Sequence, residues 1–214
     1  MKRELFFSIF LLLSVACQQT TEGGDVTKET AAESEDAVKT TDNNTVFENP
    51  EGIFPQTVGL FTIGQVIPKL PEGLNKRKAK RTLNEEGEEF EITLFIIYNL
   101  VEDMLDLQME ENPEKADADL IITEIMVNSD YYKTDRGIGV GSTIDEFAEV
   151  YPDNKIWYTY VSDRYVMETP ELPGVQFYLN RADCIEKFEV DSDMVFLKTG
   201  DFRQGSKIEK IRVY

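Results

Sequence analysis

Histidine is absent from all 214 residues, and this absence removes more chemistry than any other feature of the chain. Without imidazole there is no Ser-His-Asp or Cys-His nucleophile. No histidine-ligated zinc or iron can form either. Cysteine is nearly as scarce, with Cys17 and Cys184 alone. Basic residues are few: 22 Lys and Arg stand against 41 Asp and Glu, a net charge of −19. Such a chain repels phosphates, which excludes nucleic acid as a partner. It also disfavours electrostatic docking on anionic lipid. The N-terminal apolar run, Leu5 to Val15, falls short of the roughly 20 residues a membrane span needs.

What is present begins at the N-terminus. Met1-Lys2-Arg3 is basic, Leu5 to Val15 is apolar, and Ala16-Cys17 closes the run. The order resembles the bacterial lipoprotein signal, although Ser14 stands where that pattern prefers Leu. The resemblance implies cleavage after residue 16 and a diacylglyceryl thioether on Cys17, with membrane attachment through that lipid. Gln18, rather than Asp, points to the outer membrane. An ordinary secretory signal with Cys17 near its cleavage site is the competing reading.

Residues 17–56 read as a lipidated N-terminus followed by an acidic tether. Residues 18–56 hold nine acids and two bases, with few large apolar side chains before Val46-Phe47. Such a segment buries too little apolar area to offset its ordering entropy. Residues 57–214 have the length of one domain.

That domain reads as strand-rich. Strands are expected at Lys78–Leu83 and Phe90–Tyr98 around the turn signal Asn84-Glu85-Glu86-Gly87. Others are expected at Met104–Met109, Ile121–Val127, Ile156–Val161, Tyr165–Thr169, Val175–Leu179, Ile185–Val190 and Ile208–Tyr214. Thr143 and Glu146 match a capping box for a helix whose face carries Ile144, Phe147, Ala148 and Tyr151, ending at Pro152. A second, shorter helix is expected from Thr62 to Leu70. Ile63-Gly64 stands at the start of the shorter expected helix and Val140-Gly141 before the longer one, and both stretches close on the spacing Ile-x-x-Ile-x-Val. The expectation is an α+β fold, with two similar helix-on-antiparallel-sheet units at 58–128 and 139–214 fused into one domain.

The segment Tyr132-Lys133-Thr134 followed by Gly137-Ile138-Gly139-Val140-Gly141-Ser142-Thr143 resembles one in uncharacterised envelope lipoproteins of Gram-negative bacteria. The tandem plan resembles, more loosely, the small outer-membrane assembly lipoproteins and β-lactamase inhibitor protein-like modules. These resemblances imply binding or scaffolding without catalysis or cofactor. They bring no functional residue across.

Several clusters compete for a role. Gly137, Gly139 and Gly141 before a helix could cradle an anion, aided by Lys133 and Arg136. Strand-to-helix turning explains the same glycines. Asp117-x-Asp119 and Asp191-x-Asp193 lack the rest of a calcium loop, so no metal site is expected. Cys184 reads as a small buried thiol. Alternation places Trp157, Thr159 and Val161 on one strand face, and Tyr158 with Tyr160 on the other. The candidate binding surface is therefore Tyr131, Tyr132, Lys133 and Arg136 in one loop, with Tyr158 and Tyr160 on a sheet face. The expected function is a non-enzymatic, lipid-anchored outer-membrane module facing the periplasm or exterior, binding an envelope protein or glycan. The alternatives are small-ligand capture in an aromatic-lined pocket between the two units, and an envelope hydrolase using carboxylates.

Overall fold

The computed structural model describes residues 50–85, 88–111, 120–186 and 193–214. Cys17, the signal, most of the tether, residues 187–190 of one expected strand, the Asp117/Asp119 pair and Asp191 lie outside the described residues.

Three short strands come first: β1 (Gly52–Phe54), β2 (Thr57–Val58) and β3 (Phe61–Thr62). They fall where the sequence suggested tether and helix. Ile53, Val58 and Phe61 are fully buried, so packing, not propensity, fixes these short segments. Four longer strands follow as an antiparallel meander: β4 (Asn75–Glu85), β5 (Glu88–Tyr98), β6 (Asp103–Glu111) and β7 (Leu120–Val127). After β8 (Lys133–Thr134) comes α1 (Ile144–Val150). A second meander is formed by β9 (Lys155–Thr159), β10 (Arg164–Glu168) and β11 (Val175–Leu179). Then β12 (Met194–Leu197) pairs with the outer side of β9, and β13 (Ile208–Val213) pairs with β11.

The nine long strands make one antiparallel sheet in the order β12-β9-β10-β11-β13-β7-β6-β5-β4. The join is β7 against β13, with Val127 opposite Ile211, Met126 opposite Arg212 and Ile125 opposite Val213. The two segments sharing Ile-x-x-Ile-x-Val thus pair with each other. A small sheet, β3-β2-β1-β8, and α1 supply side chains to the core on one face of the large sheet. That core holds Ile53, Phe61, Ile97, Leu105, Ile125, Phe147, Tyr151, Met167, Phe177 and Ile211.

The α+β expectation is therefore corrected: the fold is mostly β, with one α-helix among the described residues, of seven residues. The helix expected from Thr62 to Leu70 does not form. Thr62 instead pairs with Thr57 in the small sheet. Six residues separate Gly64 from Pro71, whereas ten separate Gly141 from Pro152, and Pro68 interrupts the shorter stretch. Proline in a helix interior removes a hydrogen bond and clashes with the preceding turn. Both glycines nonetheless dock alike. The N–H groups of Gly64 and Ile122 donate to the carbonyls of Ile122 and Gln65 at 2.7 and 2.9 Å. The N–H groups of Gly141 and Ile208 donate to those of Ile208 and Ser142, both at 2.9 Å.

At α1 the capping box forms. The Glu146 N–H donates to Thr143 Oγ1 at 3.1 Å, and the Thr143 N–H donates to Glu146 Oε2 at 2.7 Å.

Candidate functional site

The loop after β8 is held from several sides. Thr134 Oγ1 accepts from the Tyr151 hydroxyl at 2.9 Å and from the Ile138 N–H at 3.2 Å. Lys133 Nζ donates to the Val140 carbonyl at 3.2 Å. Gly139 lies so close to this arm that a Cβ there would sit 2.4 Å from Lys133 Cδ and 2.5 Å from the Tyr132 carbonyl oxygen. Gly137 and Gly141 have φ of +82° and +84°, the left-handed region that glycine takes without penalty. Arg136 crosses to the end of α1, donating to the Val150 carbonyl at 2.8 Å, pairing with Glu171, and stacking 5.1 Å from the Tyr151 ring. The last turn of α1 carries no basic residue, so Arg136 supplies the cation that the helix C-terminus favours.

This settles the loop's role in the fold. Tyr132 is 2% exposed, Lys133 and Arg136 are engaged within the loop and helix, and of the aromatic pair Tyr131 alone is substantially exposed. The glycine cradle is spoken for as well. Gly139 donates to Ser142 Oγ, Gly141 to the Ile208 carbonyl and Ile144 to the Ser206 carbonyl.

The sheet candidates also separate. Tyr158 faces the core, its ring 5.0 Å from Tyr165, and its hydroxyl donates to Asp163 Oδ1 at 2.8 Å. Tyr160 lies beyond the end of β9, in the turn, and is 63% exposed. Alternation had paired the two on one strand face. The turn at Tyr160 breaks that rule, and they form no common surface.

The opposite sheet face carries a second cluster, Met126, Trp157, Val166 and Tyr178. Registers align Phe196 with Trp157, Trp157 with Val166, and Val166 with Tyr178 across β12, β9, β10 and β11. At the centre of the sheet this row meets a polar group. Arg212 Nε donates to Glu124 Oε2 at 2.7 Å and Nη2 pairs with the same oxygen at 2.5 Å. Arg212 Nη1 reaches Gln176 Oε1 at 3.4 Å, and Gln176 Nε2 donates to Glu168 Oε1 at 2.7 Å. Arg164 and Arg212 stack on the Tyr178 and Tyr214 rings, each 4.8 Å from the centroid. Burial pushes the Tyr178 phenol up, and the Glu124 carboxylate raises the Arg212 guanidinium against the opposing effect of burial.

The row ends at an edge. β12 is Met194-Val195-Phe196-Leu197, with Phe196 68% exposed and Met194 half-exposed. Tyr160 and Val161 are exposed in the adjoining turn, and the Tyr160 N–H donates to the Asp193 carbonyl at 3.1 Å. The other edge, β4, is its chemical opposite, with Lys76, Arg77, Lys78, Lys80 and Arg81. Charged edge strands resist pairing with other chains, and apolar ones invite it. Sequence reading missed Phe196 and Met194 because β12 was not recognised as a strand. It also missed the Arg212–Glu124 pair, whose partners are 88 positions apart.

A cavity of about 500 Å³ lies beside the end of α1, lined by Pro152, Asp153, Asn154, Lys155, Glu168, Thr169, Pro170, Leu172, Pro173 and Gly174. It borders the β10–β11 loop rather than the join between the two meanders, and no aromatic lines it. No group of three or more metal-ligating side chains occurs among the described residues. No helix among them is long and apolar enough to cross a membrane. Several carboxylates are held in ion pairs: Asp106 with Arg81 and Glu124 with Arg212 are partly buried, and Asp103 with Arg77 and Glu171 with Arg136 are half-exposed.

No protein-family model and no curated protein matches the chain. The crystal structure of the uncharacterized protein yfeY from Escherichia coli is similar at a TM-score of 0.48 and 12% identity, covering 76% of this chain and 98% of that one.

Proposed function

We propose that this chain is a non-enzymatic binding module, anchored by lipid on Cys17 to the outer membrane, that takes an envelope protein at the β12 edge of its large sheet. The carrying observation is the row Phe196-Trp157-Val166-Tyr178, which runs from a half-buried arginine out to an apolar edge strand. Trp157, Val166 and Tyr178 are buried and back the edge, so a partner meets Phe196, with Tyr160 and Val161 in the adjoining turn. Among the described residues β12 ends the sheet, the position at which an extended partner segment adds a strand, and Phe196 selects its side chains. Phosphate-bearing partners stay disfavoured by the net charge of −19.

The test is in-cell photocrosslinking from position 196, with position 149 on the exposed side of α1 as control. A discrete adduct from position 196 that is absent from position 149 supports the reading. Identical adduct patterns from both positions would remove it.

A further inference from the structure

Leu100 and Val101 stand 98% and 89% exposed at the apex of the β5–β6 hairpin. Turn apices are ordinarily built from polar residues and glycine. Here the apex is rigidly held. Asn99 Oδ1 accepts from the Val101 N–H at 2.7 Å and the Glu102 N–H at 2.8 Å, and the Asn99 N–H donates to the Glu102 carbonyl at 3.1 Å. The turn backbone is thereby fixed, and both large apolar side chains stand in water.

Side-chain contacts link this apex to the place where the chain enters the folded body. Glu102 Oε1 accepts from the Ser129 hydroxyl at 2.6 Å, and Ser129 Oγ accepts from the Tyr131 N–H at 3.2 Å. Burial and the nearby Glu51 carboxylate raise the Tyr131 phenol, and Glu51 is one residue after Pro50. The Lys133 N–H fixes the Glu51 carbonyl at 3.0 Å. Cys17 is 33 positions before Pro50. A chain of that many residues spans at most roughly 120 Å, so an anchor on Cys17 limits how far Pro50 can lie from the bilayer. Tethering of this kind raises the effective concentration of a weak second contact to about the millimolar range.

We propose that the Leu100–Val101 apex dips into the headgroup boundary of the bilayer, with Tyr131 at the interface beside it. This rests on the lipid anchor of the preceding reading and adds a second, protein-borne contact. Two apolar side chains and an aromatic with a polar tip match the chemistry of that boundary. The charges around the apex do not drive the contact. Lys76, Arg77 and Lys78 come from β4, and Glu51, Glu102, Asp103 and Asp130 stand nearby, with Arg77 already paired to Asp103 at 2.5 Å. The occupant is accordingly a zwitterionic surface, and adding anionic lipid should weaken the contact.

The experiment uses the full lipidated protein in phosphatidylcholine vesicles, with and without bromine on the acyl chains. Val101→Trp places a second indole at the apex, and the parent protein gives the background from Trp157. Ser162→Trp in the β9–β10 turn is the exposed control. The expected result is at least threefold stronger quenching for Val101→Trp than for Ser162→Trp. That excess should persist in high salt, fall with added phosphatidylglycerol, and vanish when Leu100→Asp is combined with Val101→Trp. Protein that floats with the vesicles but shows equal quenching at both positions would overturn the apex contact and leave the anchor standing. Protein that fails to float would overturn the anchor, and the apex proposal with it.

Discussion

Ile211 on β13 lies directly opposite Val127 on β7, and both are fully buried. Through this pair two antiparallel meanders become one nine-stranded sheet. The first meander is covered by strands, the second by α1, yet they share one continuous core.

Ile211→Ala is expected to cost about 2–5 kcal/mol, as buried Ile-to-Ala truncations do. Because the join is central, unfolding should remain a single transition. Trp157 fluorescence and far-ultraviolet circular dichroism in urea should give coincident midpoints, both lowered. Separate transitions for the two probes would mean that the halves fold independently.

Gly139→Ala should destabilise by about 1–3 kcal/mol, because the added methyl overlaps the Tyr132 carbonyl and the Lys133 stem. Gly200→Ala, whose added Cβ meets nothing within 4 Å, should change stability by less than about 0.5 kcal/mol. Thermal unfolding of the two variants beside the parent decides the matter. Equal midpoints would show that the close approach at Gly139 relaxes without cost.

Arg136→Ala removes a helix C-terminal cation and a half-exposed ion pair. The expected loss is about 1 kcal/mol, mostly from the uncapped carbonyl and the helix dipole. Arg136→Lys should restore part of it. Lysine keeps the charge but cannot match the fork that reaches Val150 and Glu171 together. Full rescue by Lys in chemical denaturation would reduce the role to charge alone.

Burial, then the neighbouring Cys184 thiol, pushes the Tyr165 phenol up to about 12 from an ordinary value near 10. Tyr132, Tyr151, Tyr158 and Tyr178 are raised as well, in each case chiefly by burial. The unfolded chain releases these protons first, so stability is intact below pH 10 and is lost as pH climbs towards 12. Denaturation curves at stepped pH should show this decline, and Tyr165→Phe should make it shallower. A flat profile between pH 10 and 12 would contradict the burial of these phenols.

Phe196→Asp should leave stability within about 0.5 kcal/mol of the parent, since the side chain is largely in water. It should abolish the crosslinks made from a photoprobe at exposed Val161 in the adjoining turn. Loss of folding instead would reassign Phe196 to the core.

Much of the strand pattern was legible because alternation and β-branching are local properties. Val175–Leu179 and Ile208–Tyr214 were placed within a residue, and the capping box gave the start of α1. The expected Thr62–Leu70 helix failed because Pro68 and Pro71 interrupt a stretch too short to accommodate them. The two-residue strands β2, β3 and β8 carry no period that a sequence window can register. Of the candidate site, Tyr131 and Tyr160 are exposed, whereas Tyr132 and Tyr158 are buried. An aromatic's chemistry does not reveal which side of a sheet holds the core.

By itself the sequence determined the absence of imidazole chemistry, the net charge and the positions of most major strands. These follow from residue type and near-neighbour spacing. Tertiary structure alone decided that β7 and β13 join two meanders, that Arg212 meets Glu124, that Arg136 caps a helix, and that one sheet edge is apolar while the other is basic. Each of these depends on segments far apart in the chain meeting at one register, and pairing across such distances leaves no mark in local composition.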